Sequence, residues 1–415
     1  MIKLKDRNVP VNTRNSGDDG MRMLIDTRIR KSPFWHKSLE AGCWCCTVYN
    51  HMYHPRAYAS PQEGGLMKEY EHLTKHVSMW NVAVERQICV KGPDAIKLVD
   101  YVITRDAYKK LPVGKARYVI LCNEQGGIIN DPVLLRVDED EFWFSISDTD
   151  VLFWLQGINV GGRFDVEIKE IDVSPLQIQG PKSKDMMVDV VGEKVLEVPY
   201  YGLMEAEING VSVVISRTGF SGEVGYEVYV REATEHAEAI WDHLLEAGKP
   251  YSIMVIAPSH IRRLEAGILS YGQDMDIETN PFEVGLDWQV DLDKGDYVGK
   301  QALARLKNEP REQLLVGMRV GGERITWYNE DYWPIIDGSG KEVGFVTSAF
   351  YAPQKESNIA MGFVPPELAA MGTRLTVRLP EKYGGDADAE VVQKPFLDPE
   401  KKIPSTRFTQ VAAVF

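Results

Sequence analysis

Cysteine is scarce: five residues in 415, at Cys43, Cys45, Cys46, Cys89 and Cys122. The odd count argues against a closed disulfide framework. Cys43, Cys45 and Cys46 bunch near His51 and His54, yet no second ligand pair follows at zinc spacing, so no metal site is expected. Reduced thiols of a cytosolic chain are the simpler reading. Basic charge is also short. Lys and Arg number 47 against 61 Asp and Glu, for a net charge of -14. The only basic bunching, Arg28 to Lys31, is small. A chain this acidic repels phosphate backbones and anionic lipid, which excludes nucleic acid and a membrane surface as expected partners. No apolar run approaches the about 20 residues that a spanning helix needs. The N-terminus has no apolar stretch ending in a small-residue cleavage site, so no signal peptide is expected. The cytoplasm is the expected compartment.

What is present is ordinary globular material, 44% hydrophobic and 26% charged, long enough for two or three domains. Residues 1–30 read as a polar leader, or as an arm over a partner subunit in a homodimer. Leu73, Val77 and Trp80 recur at spacings of four and three, which predicts a helix over Tyr70 to Trp80. Residues 86–92 read as a strand, Gly92-Pro93 as a turn, and Asp94 to Ile103 as a helix capped by Asp94. A hairpin is expected from 117–122 to 128–137, turning at 123–127. The strand, Gly-Pro turn and helix at 86–103 partly recur around Leu176 to Gly180, which suggests two related αβ halves. Helices are expected at 234–247 and 261–269. Asp337-Gly338-Ser339-Gly340 is a hairpin signal, and residues 312–400 read as a small β-barrel or sandwich. Residues from Pro395 on read as a tail.

Four segments place polar groups where a core would reject them. In NEQGGIINDPVLL, residues 123–135, Asn130 and Asp131 interrupt an apolar strand. A carboxylate there is hydrogen-bonded or faces a cleft, because unpaired burial is costly. In RTGFSGEVGYEVYV, residues 217–230, a glycine-rich loop precedes Tyr226 and Glu227. It lacks the Lys-Ser/Thr ending of a phosphate loop, but a carboxylate here suits a guanidine-like edge. In residues 262–286, Arg263, Glu265, Tyr271 and Glu283 are open to two readings, an ion-pair network or a ligand channel. In TVYNHMYHP, residues 47–55, aromatic and polar groups mix. Such a run is either core or a cation-holding face.

These segments carry a resemblance. TVYNHM at 47–52, HLTKHVSMWNVAVERQICVKGPDA at 72–95, GGIINDPV at 126–133, DVSPLQIQGP at 172–181, and RLEAGILSYGQDM with NPFEVGL at 263–286 resemble the aminomethyltransferase family of the glycine cleavage T-protein. Within it they look most like the dimethylsulfoniopropionate demethylase branch. The resemblance covers roughly residues 40–400. It implies an α+β fold of three domains in a clover-like arrangement. Two related αβ domains would occupy 31–300, and a β-barrel-like domain 312–400. It implies tetrahydrofolate as cofactor. Asp131 would be catalytic. Glu227 would bind the pterin edge, with Asn130, Tyr226, Arg263 and Tyr271 also on the cofactor. Tyr49, His51, Trp80 and Arg86 would face a small methylated zwitterion.

The departures point to the reaction. Val84 stands where the T-protein has His, and Ser259 where it has Arg, which removes a fixed cationic donor. Asn81 replaces an Asp usual in the demethylase branch, and the 219–227 loop is closer to the T-protein form. The resemblance, with Val84 and Ser259, implies methyl transfer from a sulfonium or quaternary ammonium, such as dimethylsulfoniopropionate, to N5 of tetrahydrofolate, while Asn81 and the 219–227 loop leave the identity of the donor open. The alternatives are aminomethyl or dimethylglycine-type chemistry giving methylenetetrahydrofolate, and a non-catalytic folate-binding protein.

Overall fold

The computed structural model describes residues 26–408. Most of the expected polar leader, residues 1–25, lies outside the described residues. The described chain divides into two compact units. A sheet unit holds residues 26–119, Asn130–Ser259 and 400–408; a barrel unit holds Ile120–Ile129 and His260–Pro399. No helix among the described residues is long and apolar enough to cross a membrane.

The sheet unit contains two sheets. The first runs in the order Glu167–Glu170, Gln87–Lys91, Glu141–Ser145, Val133–Arg136, Lys115–Tyr118. The second runs Leu203–Ile208, Val211–Ser216, Gly225–Arg231, Val173–Gln179, Val77–Asn81, Ile253–Val255. Strand alternation gives each face its own task. On the second sheet, Met79, Leu176, Ile178, Tyr226, Val228 and Val230 pack with Ile240, Trp241 and Leu244 of the helix Ala233–Gly248 and with Met186 and Met187 of the helix Ser183–Val191. Each such buried aliphatic contributes about 1.5–3 kcal/mol. Tyr229 and Val214 from the second sheet meet Cys89, Leu135 and Trp143 from the first in one further cluster, so the two sheets are packed together.

The helix expected over Tyr70 to Trp80 is a correction. It spans Gly65–Lys75, and Val77–Asn81 is a strand with every residue buried. A strand flanked on both sides and covered on both faces shows no alternation, so its apolar run imitates the continuation of a helix. Asp94 does occupy the N-cap position of the helix Ala95–Val102. Its carboxylate, however, accepts from Lys97 Nζ at 2.6 Å and Asp165 N at 3.1 Å instead of capping.

The two related halves are visible in their turns. Gly92 and Gly180 have φ of +140° and +118°. A Cβ there would lie 2.7 Å from the Asp165 carbonyl oxygen and 2.4 Å from that of His76, so only glycine fits either turn.

The expected single hairpin is split. Lys115–Tyr118 pairs with Val133–Arg136, while Leu121–Cys122 pairs with Ile128–Asn130. In the barrel unit, six strands close a barrel in the order Leu314–Val320, Ser357–Val364, Glu342–Ala352, Trp333–Ile336, Arg374–Arg378, Asp386–Val392. Met318, Ile335, Val346, Ala360 and Val377 fill its core. The Asp337 turn forms as its sequence demands, with Oδ1 accepting from Ser339 N at 2.8 Å and Lys341 N at 3.1 Å. The residues after Pro395 are tied down: Leu397 N donates to the Glu265 carbonyl at 2.8 Å, and Arg217 donates to that of Pro404 at 3.0 Å.

Candidate functional site

Asp131 follows the strand Ile128–Asn130 and precedes Pro132 and the strand Val133–Arg136. Asn130 sets its direction. The Asn130 amide donates to the Ser147 carbonyl at 2.9 Å and Thr149 Oγ1 at 2.8 Å, and its carbonyl accepts from Ser147 N at 3.0 Å. Asn130 is thereby tied to the 147–149 segment, which positions Asp131. The brace brings Ser147 Oγ to Asp131 Oδ1 at 2.5 Å. Tyr118 OH donates to Oδ2 at 2.9 Å. A buried carboxylate held by two hydroxyls stays oriented without being neutralised.

Tyr49 reaches the same place by a hairpin. Cys45–Tyr49 pairs with Met52–Ala57 through the two-residue turn Asn50-His51. Both turn residues have positive φ, 49° and 60°, as the twist of a two-residue hairpin requires. The Asn50 side chain docks the turn, donating to the carbonyls of Val84 at 2.9 Å and Ser147 at 3.0 Å. Asp148 Oδ1 accepts from Asn50 N at 2.6 Å. Tyr49 OH is bonded to Ser147, and burial, followed by the charges of Asp131, Glu85 and Asp148, pushes its phenol well above the ordinary range.

His51 and Arg86 do converge, but on Asp150, at 3.4 and 3.8 Å. Arg86 is further tied to Glu170 Oε2 by Nη2 at 2.6 Å and Nε at 3.1 Å. Its guanidinium is occupied by protein carboxylates, so the expected role of Arg86 on a substrate carboxylate meets a competing partner.

Glu227 lies in the second sheet. Register places Trp80, Gln177, Glu227 and Ser216 in one row across four strands, hence on one face. Glu227 Oε1 accepts from Gln177 Nε2 at 2.7 Å, and Oε2 from Tyr229 OH at 2.8 Å and from Thr218 Oγ1. Burial pushes the Glu227 carboxyl upward, and these three donors pull it partly back. Tyr226 lies apart from Glu227. It neighbours Glu227 in sequence, so its ring points to the opposite face, into the cluster with Trp241. The two cannot serve one ligand from one side. Trp80 shares the Glu227 row, but its ring packs against Leu73, Val82 and Ile256 instead of standing open to a substrate. Its indole Nε1 is buried without an acceptor among the described residues.

Several residues of the site were missed in the sequence: Tyr118, Ser145, Ser147, Gln177, Thr218, Tyr229 and Glu85. Ser145 Oγ donates to Glu85 Oε2 at 3.1 Å and accepts from Gln87 Nε2 at 2.9 Å. It also bonds the Tyr229 hydroxyl. A signal existed. Ser145 and Ser147 alternate with aromatic and branched residues in FWFSIS, and Gln177 and Gln179 alternate with Leu176 and Ile178. Period-two polarity inside a buried sheet marks a face that bonds something other than hydrocarbon.

Arg263 and Tyr271 belong to the barrel unit. Arg263 is fully buried, with Nη1 on Asp274 Oδ2 at 2.5 Å and Nη2 on Ser348 Oγ at 2.6 Å. Asp274 Oδ1 accepts from Thr347 Oγ1 at 2.6 Å. Tyr271 OH donates to the Ile128 carbonyl at 2.9 Å. Both side chains bind protein groups within their own unit.

The departures have local logic. Val84 is buried. Asn81 donates to Ser32 Oγ at 3.2 Å and Ser38 Oγ at 2.9 Å, and accepts from Ala83 N at 3.2 Å. The amide supplies both the donor and the acceptor used in that place.

Two family models match the chain, that of the GCVT N-terminal domain over residues 34–294 and that of the glycine cleavage T-protein C-terminal barrel domain over residues 314–398. The chain is 38% identical over 355 residues to the dimethylsulfoniopropionate demethylase DmdA of Ruegeria pomeroyi, covering 85% of this chain and 94% of that protein. It is 34% identical over 386 residues to the aminomethyltransferase of Thermotoga maritima, covering 89% and 98%. The crystal structure of the glycine cleavage system aminomethyltransferase T from Bartonella henselae matches with a TM-score of 0.77 at 24% identity, over 89% of this chain and 99% of that one. That likeness shows a shared fold.

Proposed function

The chain belongs to the glycine cleavage T-protein family and is a tetrahydrofolate-dependent one-carbon transferase, and we propose that it demethylates a small sulfonium or quaternary ammonium zwitterion such as dimethylsulfoniopropionate. The observation that carries this reading is the meeting of three carboxyl groups, Asp131, Glu85 and Glu227, with the phenols of Tyr49, Tyr118 and Tyr229 in the sheet unit. Buried carboxyl groups, which a nearby cation would ionise, together with aromatic faces favour a cation.

The residues present fit tetrahydrofolate. A carboxylate offers about four acceptor positions, and Glu227 uses three of them on protein donors. The remaining acceptor position of Glu227 is the one that the donor edge of a flat ligand would take. When bound, tetrahydrofolate supplies a secondary amine as nucleophile. Glu227 holds the pterin edge. Asp131, fixed by Ser147 and Tyr118, orients the groups that react. Tyr49 covers the onium and keeps water away. An onium methyl is already electrophilic, so alignment and electrostatics do most of the work. Val84 and Ser259 in place of His and Arg favour methyl over aminomethyl transfer.

The test is a donor panel. The purified chain and tetrahydrofolate are incubated with dimethylsulfoniopropionate, glycine betaine or dimethylglycine, and the folate products are followed by mass. Methyltetrahydrofolate from an onium donor is the expected result. Methylenetetrahydrofolate alone, from dimethylglycine, would replace this reading with the aminomethyl-type one.

A further inference from the structure

Three carboxyl groups converge in the sheet unit, and in two of them both oxygens already accept from protein donors. Asp131 has a hydroxyl on each oxygen, and Glu227 has three donors across its two. Glu85 differs. Its Oε2 accepts from Ser145 Oγ at 3.1 Å, and its Oε1 has no hydrogen-bond donor among the described residues. Unlike Glu227, the residue keeps some accessible surface.

We propose that Glu85 reads the positive charge of the methyl donor, its unoccupied oxygen selecting onium zwitterions over carboxylates of the same shape that lack the onium charge. The inference rests on the onium reading above and adds the residue that enforces it. Glu85 lies within electrostatic range of Glu227 and Asp131 and acts on the phenols of Tyr49 and Tyr229. It therefore stands among the groups assigned to both ligands. Its sequence neighbour Arg86 cannot neutralise it, because that guanidinium is held by Glu170 and Asp150. Burial first, then Glu227 and Asp131, holds the Glu85 carboxyl well above the ordinary range. A cation beside it opposes that shift and restores the charge. The position is set by packing. Val84 before it is buried, and Gln87 after it bonds both the Glu85 carbonyl and Ser145 Oγ.

The experiment compares charge at constant shape. Calorimetric binding to the full chain, with tetrahydrofolate omitted, is measured for dimethylsulfoniopropionate and for its carbon isostere isocaproate. Glycine betaine and tert-butylacetate form a second pair. Wild-type protein should prefer the onium member by about tenfold or more, as a desolvated charge pair does. Glu85→Gln should remove most of that preference through weaker onium binding, with isostere affinity unchanged. Glu85→Asp should keep the preference within a few-fold. A Glu85→Gln protein that retains the full preference overturns the role of Glu85 and leaves the onium reading standing. A wild type that prefers neither member overturns both, and that measurement does not depend on any variant folding.

Discussion

One cluster of buried ionisable side chains in the sheet unit and one in the barrel unit are closed differently. In the barrel unit Arg263 meets Asp274, and hydroxyls of Thr347 and Ser348 add further bonds to the pair. Cation and anion balance within a few ångströms. In the sheet unit Glu85, Asp131 and Glu227 are held by hydroxyls and an amide. Hydroxyl donors orient a carboxylate without cancelling its charge. A buried charge that is balanced in place is a structural device, whereas one that is only oriented is waiting for a ligand.

That contrast is broken most severely at Arg263. Arg263→Ala would leave Asp274 buried and uncompensated, at a cost of about 3–5 kcal/mol. Chemical denaturation should show the loss, with turnover per folded molecule largely kept. A stable variant with lost turnover would move Arg263 from the structural class to the site. Asp131→Asn is the mirror case. Asparagine retains the shape and one acceptor, so stability should hold, while turnover falls about 10²–10³-fold, the cost of losing one electrostatic group aimed at a reacting centre. Steady-state kinetics with unchanged tetrahydrofolate affinity checks it, and near-normal turnover sinks the role of Asp131.

Both clusters were legible in the sequence as misplaced polarity, but their difference was not. Asp131 and Glu227 stood out because each interrupts an apolar strand, and motif resemblance then supplied the ligands. Arg263 and Tyr271 stood in equally strong motifs, and spacing alone left the ion-pair reading open for their segment. The hydroxyls and amides that complete the site, Tyr118, Ser147, Thr218 and Gln177, come from strands distant in sequence and joined only by register. Turns and strand richness marked residues 312–400 as a barrel or sandwich, and the family resemblance supplied the α+β class and the choice of a barrel. The strand Val77–Asn81 was not readable, because coverage on both faces removes the alternation that would reveal it.

A milder test concerns how Tyr49 is delivered. Asn50→Ala removes the bonds to the Val84 and Ser147 carbonyls and places alanine at φ of 49°, where asparagine is tolerated better. The hairpin should then hold Tyr49 less firmly. The expected result is a KM for the donor raised about tenfold, the equivalent of roughly one or two hydrogen bonds, with tetrahydrofolate binding unchanged. Equal loss on both ligands would show that the hairpin supports the whole sheet unit instead of the donor end.

The smallest effect is on stability, and its sign separates the two kinds of cluster. The Glu85 carboxyl is raised in the folded protein, mainly by burial and then by Glu227 and Asp131. Across the interval above the ordinary carboxylate range and below the raised value, the folded state keeps a proton that the unfolded state has lost. Stability therefore falls as pH rises through that interval. Below the ordinary range both states are protonated and the contribution is fully present. Glu85→Gln removes the titration, so its melting temperature should exceed that of wild type at pH 8 and approach it near pH 4. The balanced Arg263–Asp274 pair predicts no such gain on neutralising Asp274; Asp274→Asn should destabilise at both pH values. Parallel melting curves for the two variants decide the matter. If Glu85→Gln lost stability at pH 8 as Asp274→Asn does, Glu85 would belong with the structural charges, and the distinction between the two units would fail at the residue on which the donor proposal depends.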